Sequence, residues 1–363
     1  MLNKDIFFDK KKRLFLITSF FLLFCLSVFI SWAYLRLEKN ETKDSLIKTS
    51  EEKKAEIDSC DNQQCASQLN LVRRKIDGIL VASGEENPQM IGVMIDNHMD
   101  ARPQAGLARA SLVYEAEAEG AVTRFLAFFS SDDVVEKIGP VRSARPYFID
   151  WATEINALYV HCGGSPDALS KIKNKGILAL DEFYNSRFFW RDNSRPRPHN
   201  LFTSIENLND YLARKKVKDH DIQAWKFKDD LPASQPATST IMINFRLPDF
   251  VVEWKYDKEK NNYIRYQKGK IQKTEKDETI VAKNVIIQYV ASRVMDEKAR
   301  LSMDNVGSDK AIACIDGRCE EGKWKKSASD SRNLFYKSNG EQIEFNAGTT
   351  WVEVVKNNYN VVY

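Results

Sequence analysis

The chain has 363 residues, of which 43% are hydrophobic and 29% are charged, and its formal net charge is +3. Of its 54 basic and 51 acidic residues, five and two respectively precede position 14, so 49 of each remain in the rest of the chain. The bulk of the protein is therefore neutral and lacks the excess of basic residues by which proteins bind nucleic acid phosphates. We accordingly exclude DNA and RNA as partners.

An uncharged, mostly apolar run extends over residues 14–35. At a rise of about 1.5 Å per residue, a helix of this length crosses the hydrocarbon core of a bilayer. Basic residues dominate residues 1–13, so the positive-inside rule places this tail in the cytoplasm and the bulk of the chain outside. The sequence predicts a single-pass protein of the cell membrane. A cleaved signal peptide is the alternative, since Ser-Trp-Ala at 31–33 fits a cleavage site, but the run is long for one.

Three segments follow the predicted anchor. Residues 36–68 are dominated by charged and small polar residues that cannot bury a core, which indicates a polar stalk. Residues 69–230 mix apolar strand patterns with two helical patterns, which predicts an α/β domain. Residues 231–363 are rich in β-branched and aromatic residues separated by turn dipeptides, which predicts a smaller all-β domain.

Two cysteine pairs have a C-x4-C spacing, at positions 60 and 65 and at positions 314 and 319. Export to an oxidising compartment favours disulfides. Between the second pair, Asp316-Gly317 is a strong signal for a two-residue hairpin turn, which places Cys314 and Cys319 opposite each other where side chains approach closest. The sequence therefore predicts a disulfide between them.

Two other cysteines have ordinary structural explanations. Cys25 resembles a lipid-attachment cysteine, but Phe24 before it is too large for such a site. Cys162 ends a buried strand pattern, where a lone thiol is more commonly part of the core than a nucleophile. Its neighbour His161 is expected to point to the opposite face of the strand, which argues against a catalytic pair.

The stretch "VYEAEAEGAVTRFLAFF" carries three closely spaced carboxylates. A period of two places Glu115, Glu117 and Glu119 on one face of a strand. A hairpin around Gly120-Ala121 places Arg124 directly opposite Glu117 as a favourable pair. The other carboxylates need water, a metal or further cations. They form either a solvated strand face or a cleft lined with arginines from neighbouring loops.

The stretch "GPVRSARPYFIDWATEINALYVHCGGSP" contains two arginines and a second candidate anion site. Arg142 and Arg145 share a face if a helix has begun by Ser143, and such a pair can hold a carboxylate or phosphate. Further on, Ser165 is a candidate helix N-cap with Pro166 at the first helical position. Free backbone N–H groups at such a terminus bind anions. The motif G-x-S-x-G is absent, so capping explains Ser165 without chemistry.

The four histidines are His98, His161, His199 and His220. The first three lie in segments dense with turn and polar residues, so they could converge, and with Asp or Glu they could bind zinc. No metal-ligand spacing such as H-E-x-x-H is present. We therefore expect structural histidines, no metal and no cofactor.

Several segments together resemble the YerB-like family of bacterial proteins, which carries the lipoprotein label. They are "VMIDNHMDARPQAGLARASLVYEAEAEGAVTRFLAFF", "EKIGPVRSARPYFIDWA", "VHCGGSP", "RPHNLFTS" and "GEQIEFNAGTTWVEVV". The resemblance implies an N-terminal α/β domain, a C-terminal β-rich domain and an envelope location, and it implies no catalytic residues. The residues that match the family pattern are Asn97, Arg102, Arg124, Arg142, Arg145, Ser165, His199 and Asn200.

Three functions are compatible with these features. The first is a membrane-tethered extracytoplasmic binding protein that holds an anionic envelope ligand, or an envelope protein, in an Arg/Glu-lined cleft. The second is an envelope hydrolase that uses Glu115, Glu117 or Glu119 as acid or base. The third is a structural interaction module whose arginines and glutamates form internal ion pairs. The candidate ligand-binding residues are Asn97, Arg102, Glu117, Glu119, Arg124, Arg142, Arg145, His161, Ser165 and His199.

Overall fold

The computed structural model describes residues 69–215, 217 and 221–363. The predicted anchor, the predicted stalk, the Cys60 and Cys65 pair, Cys25 and His220 lie outside these residues. No helix within the described residues is long and apolar enough to cross a membrane.

Strands dominate the described chain, as expected, and the α-helices are few. The part up to residue 230 contains β1 (Leu71–Arg73), β2 (Leu80–Ala82), β3 (Met90–Asp96), β4 (Leu112–Glu119), β5 (Val122–Ser130), β6 (Leu158–His161), β7 (Ala179–Asp181), β8 (Trp190–Arg191), β9 (Leu201–Phe202) and β10 (Lys226–Lys228). The helices of this part are α1 (Pro146–Thr153), α2 (Pro166–Lys175) and α3 (Ile205–Leu212).

The part from residue 231 onwards is built from strands and short turns. Its strands are β11 (Thr240–Asn244), β12 (Val251–Asp257), β13 (Asn262–Gln267), β14 (Lys270–Ile271), β15 (Val281–Ala282), β16 (Asn284–Val290), β17 (Ser292–Val294), β18 (Leu301–Met303), β19 (Gly307–Ile315), β20 (Arg318–Lys326), β21 (Leu334–Lys337), β22 (Glu344–Asn346), β23 (Thr350–Lys356) and β24 (Val361–Val362).

One ten-stranded sheet combines strands from both parts, in the order β21-β20-β19-β16-β23-β4-β5-β3-β6-β7. Strand β23 lies between β4 and β16 and runs parallel to both. A second sheet has the order β14-β13-β12-β11-β24, with β15 paired to β13. The two parts of the chain therefore share their central sheet.

The middle strands of the central sheet, β3, β4, β5, β16 and β23, are buried on both faces. On β5, Phe125 and Phe129 face one core cluster while Leu126 and Phe128 face the other. The first cluster includes residues of the second sheet, and the second cluster includes residues of α1. Strands covered on both faces read as continuous apolar runs, which explains stretches such as "MIGVMID" and "TRFLAFFS". The central sheet is thus a middle layer that holds its strand ends in fixed positions.

The chain before α1 is extended rather than helical. The helix begins at Pro146, and Arg145 has φ −134° and ψ 150°. Val141 and Ala144 form isolated bridges to Ile95 and Gly164 respectively, so the segment between them is held between two neighbouring chains. The expectation that a helix has begun by Ser143 was wrong, because proline at the first helical position marks the helix start at Pro146.

The hairpin between β19 and β20 forms with the expected register. Cys314 pairs with Cys319 and the two form a disulfide. Asp316 and Gly317 have φ of 55° and 72°, so both occupy the left-handed region that a tight two-residue turn requires. The predicted disulfide is confirmed.

Candidate functional site

Three parallel strands end side by side at one edge of the central sheet. Strands β3, β6 and β7 are neighbours, and they end at Asp96, His161 and Asp181. Strand β5 runs antiparallel to β3 and pairs Arg124 with Asp96, so its first residues lie at the same edge. We call this region, marked by these four residues, the carboxyl edge. Sheets of this kind commonly bind ligands outside the carboxyl ends of their strands.

Three of the predicted arginines converge at the carboxyl edge and form what we call the arginine cluster: Arg124, Arg142 and Arg145. Arg142 Nε lies 2.7 Å from Asp96 Oδ2. Arg124 Nη2 lies 3.2 Å from Glu119 Oε2, and Arg145 forms an ion pair with the same carboxylate. Three guanidinium groups thus face two carboxylates, which leaves one positive charge in excess.

The guanidinium groups of the cluster retain unused donors. Neither terminal nitrogen of Arg142 has a hydrogen-bond partner in the described part of the chain. The Nε atoms of Arg124 and Arg145 are buried and also lack a partner there. The Arg142 side chain is 20% exposed, against 11% for Arg124 and 8% for Arg145. Arg142 is therefore the cation that an incoming anion reaches first.

The electrostatics of the cluster reflect its burial. Burial by itself would raise the pKa of Asp96, but the guanidinium of Arg142, the backbone N–H of His98 and the ring of His199 hold that pKa below its ordinary value. Burial lowers the pKa of Arg124, as removal from water does for any cation. A guanidinium remains charged at neutral pH even so. An anionic ligand would offset part of this desolvation cost.

The three glutamates of β4 do not share one face. A β-bulge between Glu117 and Glu119 shifts the register, so Arg124 lies opposite Ala116 and not opposite Glu117. The extra residue of a bulge re-aims the side chains that follow it, and Glu119 accordingly pairs with Arg124. The expected pair of Arg124 with Glu117 was wrong. No glycine or proline marks the bulge in the sequence.

The other two glutamates are buried and paired. Glu115 accepts a hydrogen bond from Asn97 Nδ2 at 3.1 Å and forms an ion pair with Arg265. Glu117 forms an ion pair with Lys356 at 2.5 Å. Both cations belong to the second part of the chain. These two glutamates therefore join the two parts of the molecule, and neither forms a solvated strand face.

Arg102 lies apart from the arginine cluster. Its Nε donates to Asn97 Oδ1 at 3.1 Å and its Nη1 donates to the Asp249 carbonyl at 3.0 Å. Its guanidinium also lies over the Phe250 ring. Burial and the nearby Arg265 guanidinium lower the pKa of Arg102 to about 10. These contacts fix the loop after β3 against the second part of the chain.

Ser165 caps α2, as the sequence predicts. Its Oγ accepts from Ala168 N at 3.4 Å. In the preceding loop, Gly163 N–H donates to Asp181 Oδ1 at 2.8 Å, and Ser165 N–H donates to the Ala144 carbonyl. The carboxylate of Asp181 thus occupies the glycine turn before α2, because β7 ends beside it. Anion binding at the N-terminus of α2 itself stays a prediction.

His161 and Cys162 have separate structural surroundings. The His161 ring is buried with Nδ1 2.8 Å from the Gly163 carbonyl, and burial lowers its pKa. The Cys162 thiol donates to Glu182 at 3.3 Å. Burial, followed by the Glu182 carboxylate, raises the pKa of this thiol to about 12. A raised thiol pKa disfavours the thiolate, which is the reactive form of a cysteine.

His98 and His199 come together although about a hundred residues separate them. Their rings stack with centroids 4.6 Å apart, and His199 Nδ1 lies 2.7 Å from Asp96 Oδ2. One ligand atom each of His98, Asp100 and His199 lies within 4.8 Å of the others. These three residues could hold a metal ion. His161 does not belong to this group, so two of the three histidines expected to converge do so.

Two cavities lie away from the arginine cluster. One of about 620 Å³ lies beside Met90 and Ser131, at the opposite edge of the central sheet. Another of about 350 Å³ lies beside Asp316 and Arg318. Neither cavity is lined by Arg124, Arg142 or Arg145.

Sequence reasoning missed two carboxylates that organise the carboxyl edge, Asp96 and Asp181. A signal for both is present, because "MIGVMID" and "ILALD" are apolar strand patterns that each end in a single aspartate. A charged residue directly after a buried run marks the end of a strand, where ligand sites gather in sheets of this type.

Two family profiles match the chain. The profile described as "Protein of unknown function (DUF3048) N-terminal domain" covers residues 78–218, and that of the corresponding C-terminal domain covers residues 241–352. The chain belongs to the YerB-like family. A YerB-like relative, "Putative lipoprotein YerB" of Bacillus subtilis (strain 168), is 29% identical over 270 residues, which are 73% of this chain and 80% of the relative.

A solved structure of the YerB-like family has the same fold. The crystal structure of YerB protein from Bacillus subtilis superposes with a TM-score of 0.72 at 26% sequence identity and covers 80% of this chain and all of that one. The family resemblance inferred from the sequence is confirmed, as is an architecture of two parts built mostly from strands. The family description assigns no function.

Proposed function

We propose that this protein binds an anionic component of the bacterial cell envelope on its arginine cluster, while an N-terminal anchor holds it at the outer face of the cell membrane. The observation that carries the proposal is Arg142, which is partly exposed and has two terminal nitrogens without a partner in the described part of the chain. Its Nε lies against Asp96, which fixes the side chain in place.

The chemistry of Arg142 suggests the class of ligand. A guanidinium presents paired, planar donors that match the oxygens of a carboxylate or a phosphate. Envelope polymers offer both groups, as the carboxylates of peptidoglycan stem peptides and as phosphate-bearing chains. The excess positive charge of the arginine cluster favours either group over a neutral sugar.

The proposed location rests on three supports. The Bacillus subtilis relative carries the name of a lipoprotein, a class held at the membrane by a lipid. In this chain Phe24 argues against lipidation of Cys25, so the apolar run at 14–35 would serve the same purpose as a single-pass anchor. The disulfide between Cys314 and Cys319 also suits an oxidising compartment.

The geometry gives no support to a hydrolase that uses the glutamates of β4. Glu115 and Glu117 are buried in ion pairs, and Glu119 forms ion pairs with Arg124 and Arg145. Glycoside hydrolysis needs a carboxyl group that faces the substrate. All three carboxyl groups are instead engaged with cations of this chain.

A structural module remains the second candidate, because internal ion pairs account for Glu115, Glu117 and Glu119. If the protein is a structural module, Arg142 contributes only to the stability of the fold. The free donors of Arg142 favour the binding function, and the experiment below separates the two.

The test is cosedimentation of the full-length protein, in detergent, with purified cell-wall sacculi. Arg142→Ala should weaken binding tenfold to a hundredfold, because hydrogen bonds to charged groups contribute about 1.5–3 kcal/mol. The matched control is Arg109→Ala, an exposed arginine just before β4 at the opposite edge of the central sheet. It should leave binding unchanged.

A second experiment uses sacculi from which acid has removed the phosphate polymers. It distinguishes the two possible sources of the anion. Loss of binding to stripped sacculi would assign the ligand to phosphate, and retained binding would assign it to peptidoglycan carboxylates. If Arg142→Ala sediments like the unaltered protein while remaining folded, the arginine cluster is not the binding site and the proposal fails.

A further inference from the structure

We propose that His98, Asp100 and His199 form a binding site for a divalent transition metal, with Zn²⁺ as the favoured ion. The sequence offers no recognised metal-ligand spacing, so we expected no metal there. The structure instead assembles the three ligands from two distant loops, the one after β3 and the one between β8 and β9. Two imidazoles and a carboxylate are a donor set typical of zinc.

The distances suit the ion. Ligand atoms about 2.0–2.1 Å from a tetrahedral zinc lie about 3.3 Å from each other. His98 Nδ1 lies 3.5 Å from Asp100 Oδ2. The ligand atoms of all three residues lie within 4.8 Å of one another. His98 Nδ1 accepts the Asp100 backbone N–H at 3.3 Å, so binding an ion through this atom requires the imidazole to exchange that hydrogen bond for the metal.

Asp96 holds both histidines in place. Its Oδ1 accepts the backbone N–H of His98 at 3.0 Å, and its Oδ2 lies 2.7 Å from His199 Nδ1. When His199 donates from Nδ1 to this buried carboxylate, its Nε2 presents a lone pair. A carboxylate behind a histidine ligand is the arrangement that fixes ring orientation in protein metal sites.

The proposed site is open to solvent on one side. The side chains of His98 and Asp100 are 37% and 61% exposed, while that of His199 is 10% exposed. Three protein ligands leave at least one position for water or an external ligand, as in zinc sites that bind substrates. Asp96 also contacts Arg142, so the metal and the arginine cluster are neighbours.

This inference does not depend on the proposed function, because the metal alone is the probe. The full-length protein is treated with a chelator, dialysed, and titrated with ZnCl₂ by isothermal calorimetry against a competing chelator of known affinity. We expect one zinc ion per chain. His98→Gln and His199→Ala should each weaken binding at least a hundredfold, and Asp96→Asn should weaken it tenfold to a hundredfold.

Two controls separate the metal site from other effects. Asp330→Asn changes an exposed aspartate in the loop after β20, towards the other end of the central sheet, and should leave zinc affinity unchanged. Arg142→Ala should still bind one zinc ion, even where it loses sacculus binding. Circular dichroism verifies that each variant is folded.

Three outcomes would overturn the inference. The first is a stoichiometry far below one zinc ion per chain. The second is unchanged affinity in folded His98→Gln, which would place any bound zinc elsewhere in the chain. The third is an equal loss of zinc affinity in Asp100→Asn and in the matched Asp330→Asn, which would show a general effect of surface charge.

Discussion

Asp96 organises the carboxyl edge although it never reaches the surface. One of its oxygens takes the backbone N–H of His98, while the other contacts the His199 ring and the Arg142 guanidinium. A buried carboxylate is stable only when such partners surround it. Placed at the end of β3, this single residue therefore fixes two candidate ligand-binding groups at once.

The reactivity of the Cys162 thiol gives a testable prediction about a single residue. Because its thiol pKa is raised to about 12, the thiol should react with iodoacetamide at pH 8 at least a hundredfold more slowly than a cysteine of ordinary pKa. Peptide mass spectrometry of the folded and urea-unfolded protein measures this. Glu182→Gln should accelerate labelling, since the Glu182 carboxylate contributes to the shift. Rapid labelling of the folded protein would contradict the assignment.

At the scale of elements, the two long hairpins show how far strand register can be predicted from the sequence. Asp316-Gly317 predicted the register of β19 and β20, because few dipeptides fit a turn with two left-handed residues. The hairpin of β4 and β5 was misread by one residue, because no glycine or proline marks the bulge between Glu117 and Glu119 in the sequence. Likewise, Arg142 meets Asp96 and Arg145 meets Glu119 through strand order, which local periodicity does not encode.

The Asp316 turn gives a prediction of pH dependence. Burial would raise the pKa of Asp316, but hydrogen bonds from Lys228, Asn346 and Asn261 lower it below its ordinary value. A carboxyl whose pKa is lower in the folded state stabilises the fold above its unfolded pKa of about 3.9, and that stabilisation is lost as pH falls through the folded pKa.

Asp316→Asn keeps a favoured turn sequence and removes only the charge. It should lower the free energy of unfolding at pH 7 by about 1 kcal/mol, and the difference from the unaltered protein should shrink below about pH 4. Urea denaturation at several pH values measures this. A difference that is independent of pH would show that the carboxylate is not responsible.

At the scale of the whole molecule, a buried charged group joins the two parts of the chain. Arg265 from the second sheet forms an ion pair with Glu115 and lies 3.8 Å from Glu353, all three without solvent exposure. Burial, followed by the nearby Glu115, raises the pKa of Glu353 well above its ordinary value. Arg265 is 150 positions from Glu115 and 88 positions from Glu353, which explains why the sequence did not predict these contacts.

Arg265→Met should therefore be strongly destabilising, by about 3–5 kcal/mol, because it leaves Glu115 buried without a cation. Adding Glu115→Gln should restore part of the loss, as the uncompensated charge is then removed. Both variants should unfold in a single transition in urea, since the two parts share one sheet. Separate transitions for the two parts, or a cost below 1 kcal/mol, would contradict this interpretation.

The most direct test of anion binding at Arg142 is calorimetric titration of the full-length protein with inorganic pyrophosphate and with a soluble peptidoglycan stem peptide. We expect one of these anions to bind the unaltered protein. The Arg142→Ala variant should bind it at least tenfold more weakly, and Arg142→Lys, which keeps the charge without the planar pair of donors, should bind it with intermediate affinity. Equal affinity of the unaltered protein and Arg142→Ala for both anions, with both proteins folded, would contradict binding at Arg142.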